Sequence, residues 1–159
     1  GIPFNIPANK SAAMLMIGLG TGIAPFRAFV KHIYETVGGW EGKVRLFYGA
    51  KTGLEMAYMN NHKDDFKLYY DESTFKAFEA VSPRPHFDKP IALDEALKSN
   101  AEEIWSMIKQ PDTYVFMAGL EAIRELTDKA FVEIAGSQTE WDACVKELKD
   151  SGRLQEIIY

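Results

Sequence analysis

Cysteine is almost missing from this chain. Cys144 stands alone among 159 residues, so no internal disulfide can form, and the natural inference is a reducing compartment such as the cytoplasm. Histidine is nearly as scarce: His32, His62 and His86 are scattered with no Cys/His spacing suited to zinc, so no metal is expected. Nothing assembles a Ser/His/Asp or Cys/His set either, which leaves general-base and nucleophilic catalysis unsupported. Positive charge is in short supply, with 18 basic against 23 acidic residues and a net charge of −5. That balance gives no support to nucleic-acid binding. Long apolar runs are absent as well. The longest uncharged stretch, 11–26, is too short for a bilayer and is broken by Gly18, Gly20, Gly22 and Pro25, so no membrane span is expected. The N-terminus, GIPFNIPANKSAAM, has no basic segment leading into an apolar one and does not read as a signal peptide. No internal repeat, low-complexity tract or linker divides the sequence, so residues 1–159 read as one domain.

What is present is an ordinary globular composition, 47% hydrophobic, 26% charged and 13% aromatic. A chain of this size buries roughly 70% of its unfolded surface without a covalent staple. Strand and helix signals alternate, the pattern of βαβ units around a parallel sheet. The apolar run 14–17 predicts a buried first strand, because central parallel strands lose the apolar/polar alternation. Helical spacing of Phe26, Phe29, Val30 and Ile33 predicts a helix over 23–35, stopped by Gly38 and Gly39. Strands are expected over 43–50, 75–81, 113–118 and 155–159. Helices are expected over 54–59, 94–109, 120–135 and 141–151, with a loop at the two prolines of Ser82-Pro83-Arg84-Pro85. The fold class is therefore α/β, an open parallel sheet of about five strands with helices on both faces in a Rossmann-like arrangement.

The strongest chemical signal is Gly18-Leu19-Gly20-Thr21-Gly22-Ile23-Ala24-Pro25, set between the first strand and the first helix. Glycines there let backbone approach a pyrophosphate, and the helix N-terminus offers free N–H groups and a favourable dipole. Glycines alone would equally serve a tight turn with no ligand. The strand and helix on either side are the context that the binding chemistry requires.

The segment GLGTGIAPFRAF resembles the nucleotide-binding motif of the ferredoxin-NADP+ reductase family. LFYGAKTGLEMAYMN resembles that family's second-strand motif, YVFMAGLEAI its fourth-strand segment, and the terminal WDACVKELKDSGRLQEIIY ends on a tyrosine as in the plant-type branch. The resemblance runs over essentially the whole chain and corresponds to the NADP-binding half of such a reductase. It implies that an FAD-binding barrel would precede Gly1 and that the abrupt start is a domain boundary.

Site residues follow from the resemblance position by position. Gly18, Gly20, Thr21, Gly22, Ile23, Ala24 and Pro25 would line the nicotinamide and pyrophosphate. Gly49, Lys51 and Thr52 would lie near the phosphates, with a solvated loop lysine as the other account of Lys51. Ser82 and Arg84 would grip an adenosine 2′-phosphate, although Pro83 separates two residues that are adjacent in the family. Lys89 is the nearby positive charge where the family's adenine-stacking tyrosine has no clear counterpart. Gly119 and Leu120 would flank the nicotinamide, beside Ala118 in place of the family's cysteine. Ile157 replaces a glutamate, and Glu156 next to it would point to the opposite face of an extended chain. Tyr159 would cover the flavin as the family's terminal ring does. Cys144 lies among ordinary helical residues and is not expected to be a nucleophile.

The resemblance implies an oxidoreductase that uses NADP(H), with NAD(H) as the alternative, and FAD in the full-length protein. Its electron partner would be ferredoxin or flavodoxin, or the oxygenase component of a multi-component system. A non-catalytic nucleotide-sensing module is the remaining alternative, suggested by Ala118 and Ile157. Ferredoxins are acidic, so with a net charge of −5 any basic docking surface must be local or lie on the flavin-binding domain of the same polypeptide.

Overall fold

Five strands appear in the computed structural model, which describes residues 4–20, 23–49, 73–80 and 93–158. They are β1 (Met14–Leu19), β2 (Val44–Gly49), β3 (Phe75–Ala80), β4 (Tyr114–Gly119) and β5 (Leu154–Ile158). Every pairing is parallel, in the order β3-β2-β1-β4-β5. The chain therefore leaves β1 to build one half of the sheet, then crosses back to build the other half from β4. In open α/β sheets a reversal of this kind, here beside β1, marks the carboxyl edge at which ligands bind.

All six residues of β1 and all six of β2 are buried, which explains why no alternation was visible in their sequences. Met14 and Met16 face one cluster with Phe26, Phe29, Val30 and Phe116. Leu15, Ile17 and Leu19 face the other, with Leu97, Ile104, Phe131 and Trp141. Fully burying an aliphatic or aromatic side chain of this size stabilises by about 1.5–3 kcal/mol, so the two faces together need no covalent help.

Helix α1 (Ile23–Lys31) covers the first face and continues as a π turn over His32–Thr36 that ends before Gly38 and Gly39. The wider turn buries Ile33 and Tyr34, and the Tyr34 hydroxyl lies 2.9 Å from the Thr74 hydroxyl just ahead of β3. On the other face lie α2 (Leu93–Ser99), α3 (Ala101–Ile108), α4 (Ala122–Ala135) and α5 (Gln138–Asp150). The helix expected at 54–59 and the loop at 82–85 lie outside the described residues.

Three helix boundaries differ from the sequence expectation. The helix expected over 94–109 is two helices, broken at Asn100 (φ −115°, ψ 26°), whose side-chain amide donates to the Ala96 carbonyl at 2.9 Å. An asparagine that bonds its own backbone competes with helix continuation, while Ile104 and Ile108 keep the apolar spacing beyond the break. Helix α5 begins at Gln138 rather than at 141. Ser137 caps it by accepting from the Glu140 N–H at 3.1 Å, and the polar first turn hides the start from any search for apolar periodicity. Leu120 lies outside α4, 42% exposed at the end of β4.

The opposite edge of the sheet is closed by buried arginines. Arg153 donates to the Thr113 carbonyl at 2.9 Å and to the Ser151 hydroxyl at 2.8 Å, joining the turns that feed β4 and β5. Arg45 donates to the Thr74 carbonyl at 2.7 Å and pairs with Glu103. With their carbonyl partners satisfied, these guanidiniums hold the amino ends of the strands and leave the carboxyl ends as the open edge.

Candidate functional site

The carboxyl edge is built from small residues set in register. Gly18 of β1 pairs with Tyr48 of β2 and with Ala118 of β4, and Ala118 pairs with Ile157 of β5. One step further along, Leu19 pairs with Gly49 and Gly119 with Ile158. Sequence positions as far apart as 18, 49, 118 and 157 thus form two adjacent rows at one end of the sheet.

Backbone conformation accounts for two of the glycines. Gly20 has φ 63°, the left-handed region that lets the chain turn out of β1 toward α1. Gly119 has φ 146°, and a Cβ placed there would meet the Leu19 carbonyl oxygen at 2.6 Å. Strands β1 and β4 therefore approach at this end of the sheet as closely as backbone allows.

The electrostatics of α1 differ from those of the other described helices. The first turns of α2 and α3 carry Asp94 with Glu95 and Glu102 with Glu103, and those of α4 and α5 carry Glu125 and Glu140. Acidic residues there satisfy the positive end of the helix dipole. Helix α1 has none in its first turn, which holds Ala24 and Pro25 directly after the glycine segment. No acidic side chain of its own first turn offsets the positive end of this helix, and free N–H groups at such an end can receive an anion.

Of the positions singled out in the sequence, Gly18, Gly20, Gly49, Ala118, Gly119, Leu120 and Ile157 meet at this edge, with Ile23, Ala24 and Pro25 opening α1 above it. Thr21, Gly22, Lys51, Thr52, Ser82, Arg84, Lys89 and Tyr159 lie outside the described residues. Ala118 is fully buried, and Ile157 packs against the same apolar cluster, so neither brings a polar group to the edge. Glu156 faces the other side as expected, where its carboxylate accepts from Arg124 at 3.0 Å. Arg124 also donates to Glu121 at 2.8 Å, and these two partners, Glu156 foremost, raise its pKa. This carboxylate is engaged on the α4 side of the sheet, away from Ile157.

Sequence reasoning missed the contribution of Leu19, whose carbonyl sets the limit at Gly119, and of Tyr48, buried beside Gly18. Only the cross-strand register reveals them. Burial pushes the Cys144 thiol up, with Glu147 and Glu140 adding to the effect, which disfavours the nucleophilic thiolate. Among the described residues no three His, Cys, Asp or Glu side chains come together as a metal set, and no helix is long and apolar enough to cross a membrane.

Comparison with known proteins adds a family and relatives. The model of the oxidoreductase NAD-binding domain matches residues 16–129. The chain is 30% identical to the cyanelle ferredoxin–NADP reductase of Cyanophora paradoxa, over 100% of this chain and 45% of that protein. It is 29% identical to the chloroplastic leaf isozyme 1 of ferredoxin–NADP reductase from Arabidopsis thaliana, over 97% of this chain and 44% of that one. Against the ferredoxin–NADP reductase of Spirulina sp the figures are 28%, 97% and 54%. The chain spans about half the length of these relatives.

Proposed function

The chain belongs to the oxidoreductase NAD-binding domain family, and from that premise we propose that it is the NADP(H)-binding domain of a ferredoxin-NADP reductase-like flavoprotein. The observation that carries this reading is the carboxyl edge itself. There a helix with no acidic residue in its first turn begins directly after a glycine-rich segment, at the switch point between β1 and β4.

In this reading the peptide groups of 18–25 receive the pyrophosphate, Gly49, Lys51 and Thr52 approach the phosphates, and Gly119 and Leu120 flank the nicotinamide. Ser82, Arg84 and Lys89 hold the 2′-phosphate and so select NADP(H) over NAD(H). Bound there, the nicotinamide exchanges hydride with an FAD held by a separate domain, which passes single electrons to ferredoxin, flavodoxin or an oxygenase component. Tyr159 would cover the flavin until nicotinamide displaces it. With Ala118 and Ile157 apolar, these two positions supply no thiol or carboxylate beside the nicotinamide, and hydride transfer needs neither. Their loss tunes the rate rather than abolishing the reaction. The single cysteine suits a reducing compartment, cytoplasm or an organelle interior, and the relatives with cyanelle and chloroplastic names favour the latter.

The 159-residue chain is expected to bind nucleotide weakly and to catalyse nothing alone. Steady-state reduction of a dye by NADPH should stay at the no-protein rate until a flavin-binding partner domain is supplied. Robust turnover without added flavin would refute the division of labour proposed here. The absence of turnover with a competent flavin domain, nucleotide binding intact, would favour a nucleotide-sensing module.

A further inference from the structure

Phe4 is 5% exposed and lies among three rings. It stacks on Phe26 at 5.2 Å and 21°, and meets Phe29 and Phe116 at steep angles at 5.5 and 5.2 Å. Phe26 directly follows Pro25 near the head of α1, and Phe116 lies two residues before Ala118 on the same face of β4.

The next residue is held from both sides by one side chain. The Gln155 carboxamide oxygen accepts from the Asn5 N–H at 2.8 Å, and its amide nitrogen donates to the Asn5 carbonyl at 3.0 Å. A single glutamine thereby satisfies both backbone groups of Asn5, the service a neighbouring strand would otherwise perform.

The place of this contact matters because β5 is an edge strand. Among the described residues it pairs only with β4, and it ends at Ile158. None of its residues is fully buried. Gln155 and Ile157 share one face of the strand by the alternation of side chains, and Ile157 packs against the cluster that holds Phe4. The segment at 4–5 therefore touches α1, β4 and β5, the helix that follows the glycine segment and the two strands that carry Ala118-Gly119 and Ile157.

We propose that Phe4 and Gln155 form a positioning clamp that holds β5 against α1 and β4 from near its amino end, and so sets where Ile157 and Ile158 stand toward bound nicotinamide. The inference rests on the nucleotide-site reading above for its functional half, whereas its mechanical half concerns this chain alone.

Site-resolved amide exchange and NADP+ titration of the whole chain test both halves. In Gln155→Ala the amides of 156–158 should exchange at least tenfold faster while those of 14–17 and 44–46 hold their wild-type rates, and the NADP+ dissociation constant should rise about three- to tenfold. Gln155→Glu keeps the acceptor for the Asn5 N–H but has no donor for its carbonyl, so it should fall between. Phe4→Ala should repeat the pattern, and Phe4→Leu, which refills the ring site, should largely restore it. A merely structural role would raise exchange equally in all five strands, and that result, or unchanged rates at 156–158, would overturn the proposal. A wild-type chain that binds no NADP+ would refute the nucleotide reading instead, while a local exchange pattern would still establish the clamp.

Discussion

Gly119→Ala should lower the stability of the chain by about 3–5 kcal/mol and abolish measurable nucleotide binding. Two costs add. The positive φ of 146° disfavours any side chain, at roughly 1–3 kcal/mol. The new Cβ would also stand 2.6 Å from the Leu19 carbonyl oxygen and 3.2 Å from the Leu19 Cβ. The obstacle is backbone in the central strand, which no rotamer change can move. Relief must come from spreading β1 from β4, and that separation disturbs the register that sets Gly18 beside Ala118 at this end of the sheet. Domains of this size are stable by only about 5–15 kcal/mol, so a loss of this magnitude shows directly in a urea melt. Gly136→Ala is the matched control. Its φ of 94° is also unfavourable, but its Cβ would meet nothing within 4 Å, so it should cost about 1–2 kcal/mol and leave binding unchanged. Equal losses in the two variants would show that the close approach at Gly119 does not matter.

Arg84→Ala should weaken NADP+ binding roughly 10- to 100-fold while leaving NAD+ within about twofold. A hydrogen bond to a charged group is worth about 1.5–3 kcal/mol, and tenfold in affinity corresponds to 1.4 kcal/mol. Because the two nucleotides differ only in the 2′-phosphate, a guanidinium that contacts that group must show its effect in the ratio of the two constants. Arg84→Lys should recover only part of the loss, since an ammonium keeps the charge without the planar fork. Titrating each variant with both nucleotides decides the matter. Parallel losses for NADP+ and NAD+ would place Arg84 away from the 2′-phosphate and leave selection to Ser82, Lys89 or neither.

The parts of the fold that were legible in the sequence share a physical cause. Strand β1 announces itself because burial on both faces leaves an uninterrupted apolar run, and α1 because Phe26, Phe29, Val30 and Ile33 repeat at helical spacing. The glycine segment could be read as a candidate site because the pattern is local: strand, glycines and helix follow one another within a dozen or so residues. The break at Asn100 and the cap at Ser137 were missed because both depend on polar side chains bonding their own backbone, which leaves the apolar spacing undisturbed. The clamp on Asn5 was invisible for a different reason. Gln155 lies 150 residues away in sequence, and neither residue has any pattern around it that points to the other. The same holds for Leu19 and Gly119, whose contact exists only once β1 and β4 are paired.

The most direct test is a titration of the chain with NADP+ followed residue by residue through its backbone amide resonances. The account predicts saturable binding, with the largest shifts at Gly18, Gly20, Gly49, Gly119 and Leu120 and weaker binding of NAD+ at the same positions. No saturation at millimolar nucleotide, or shifts gathered instead around Ser11, Gly42 and Arg153 at the other end of the sheet, would contradict it.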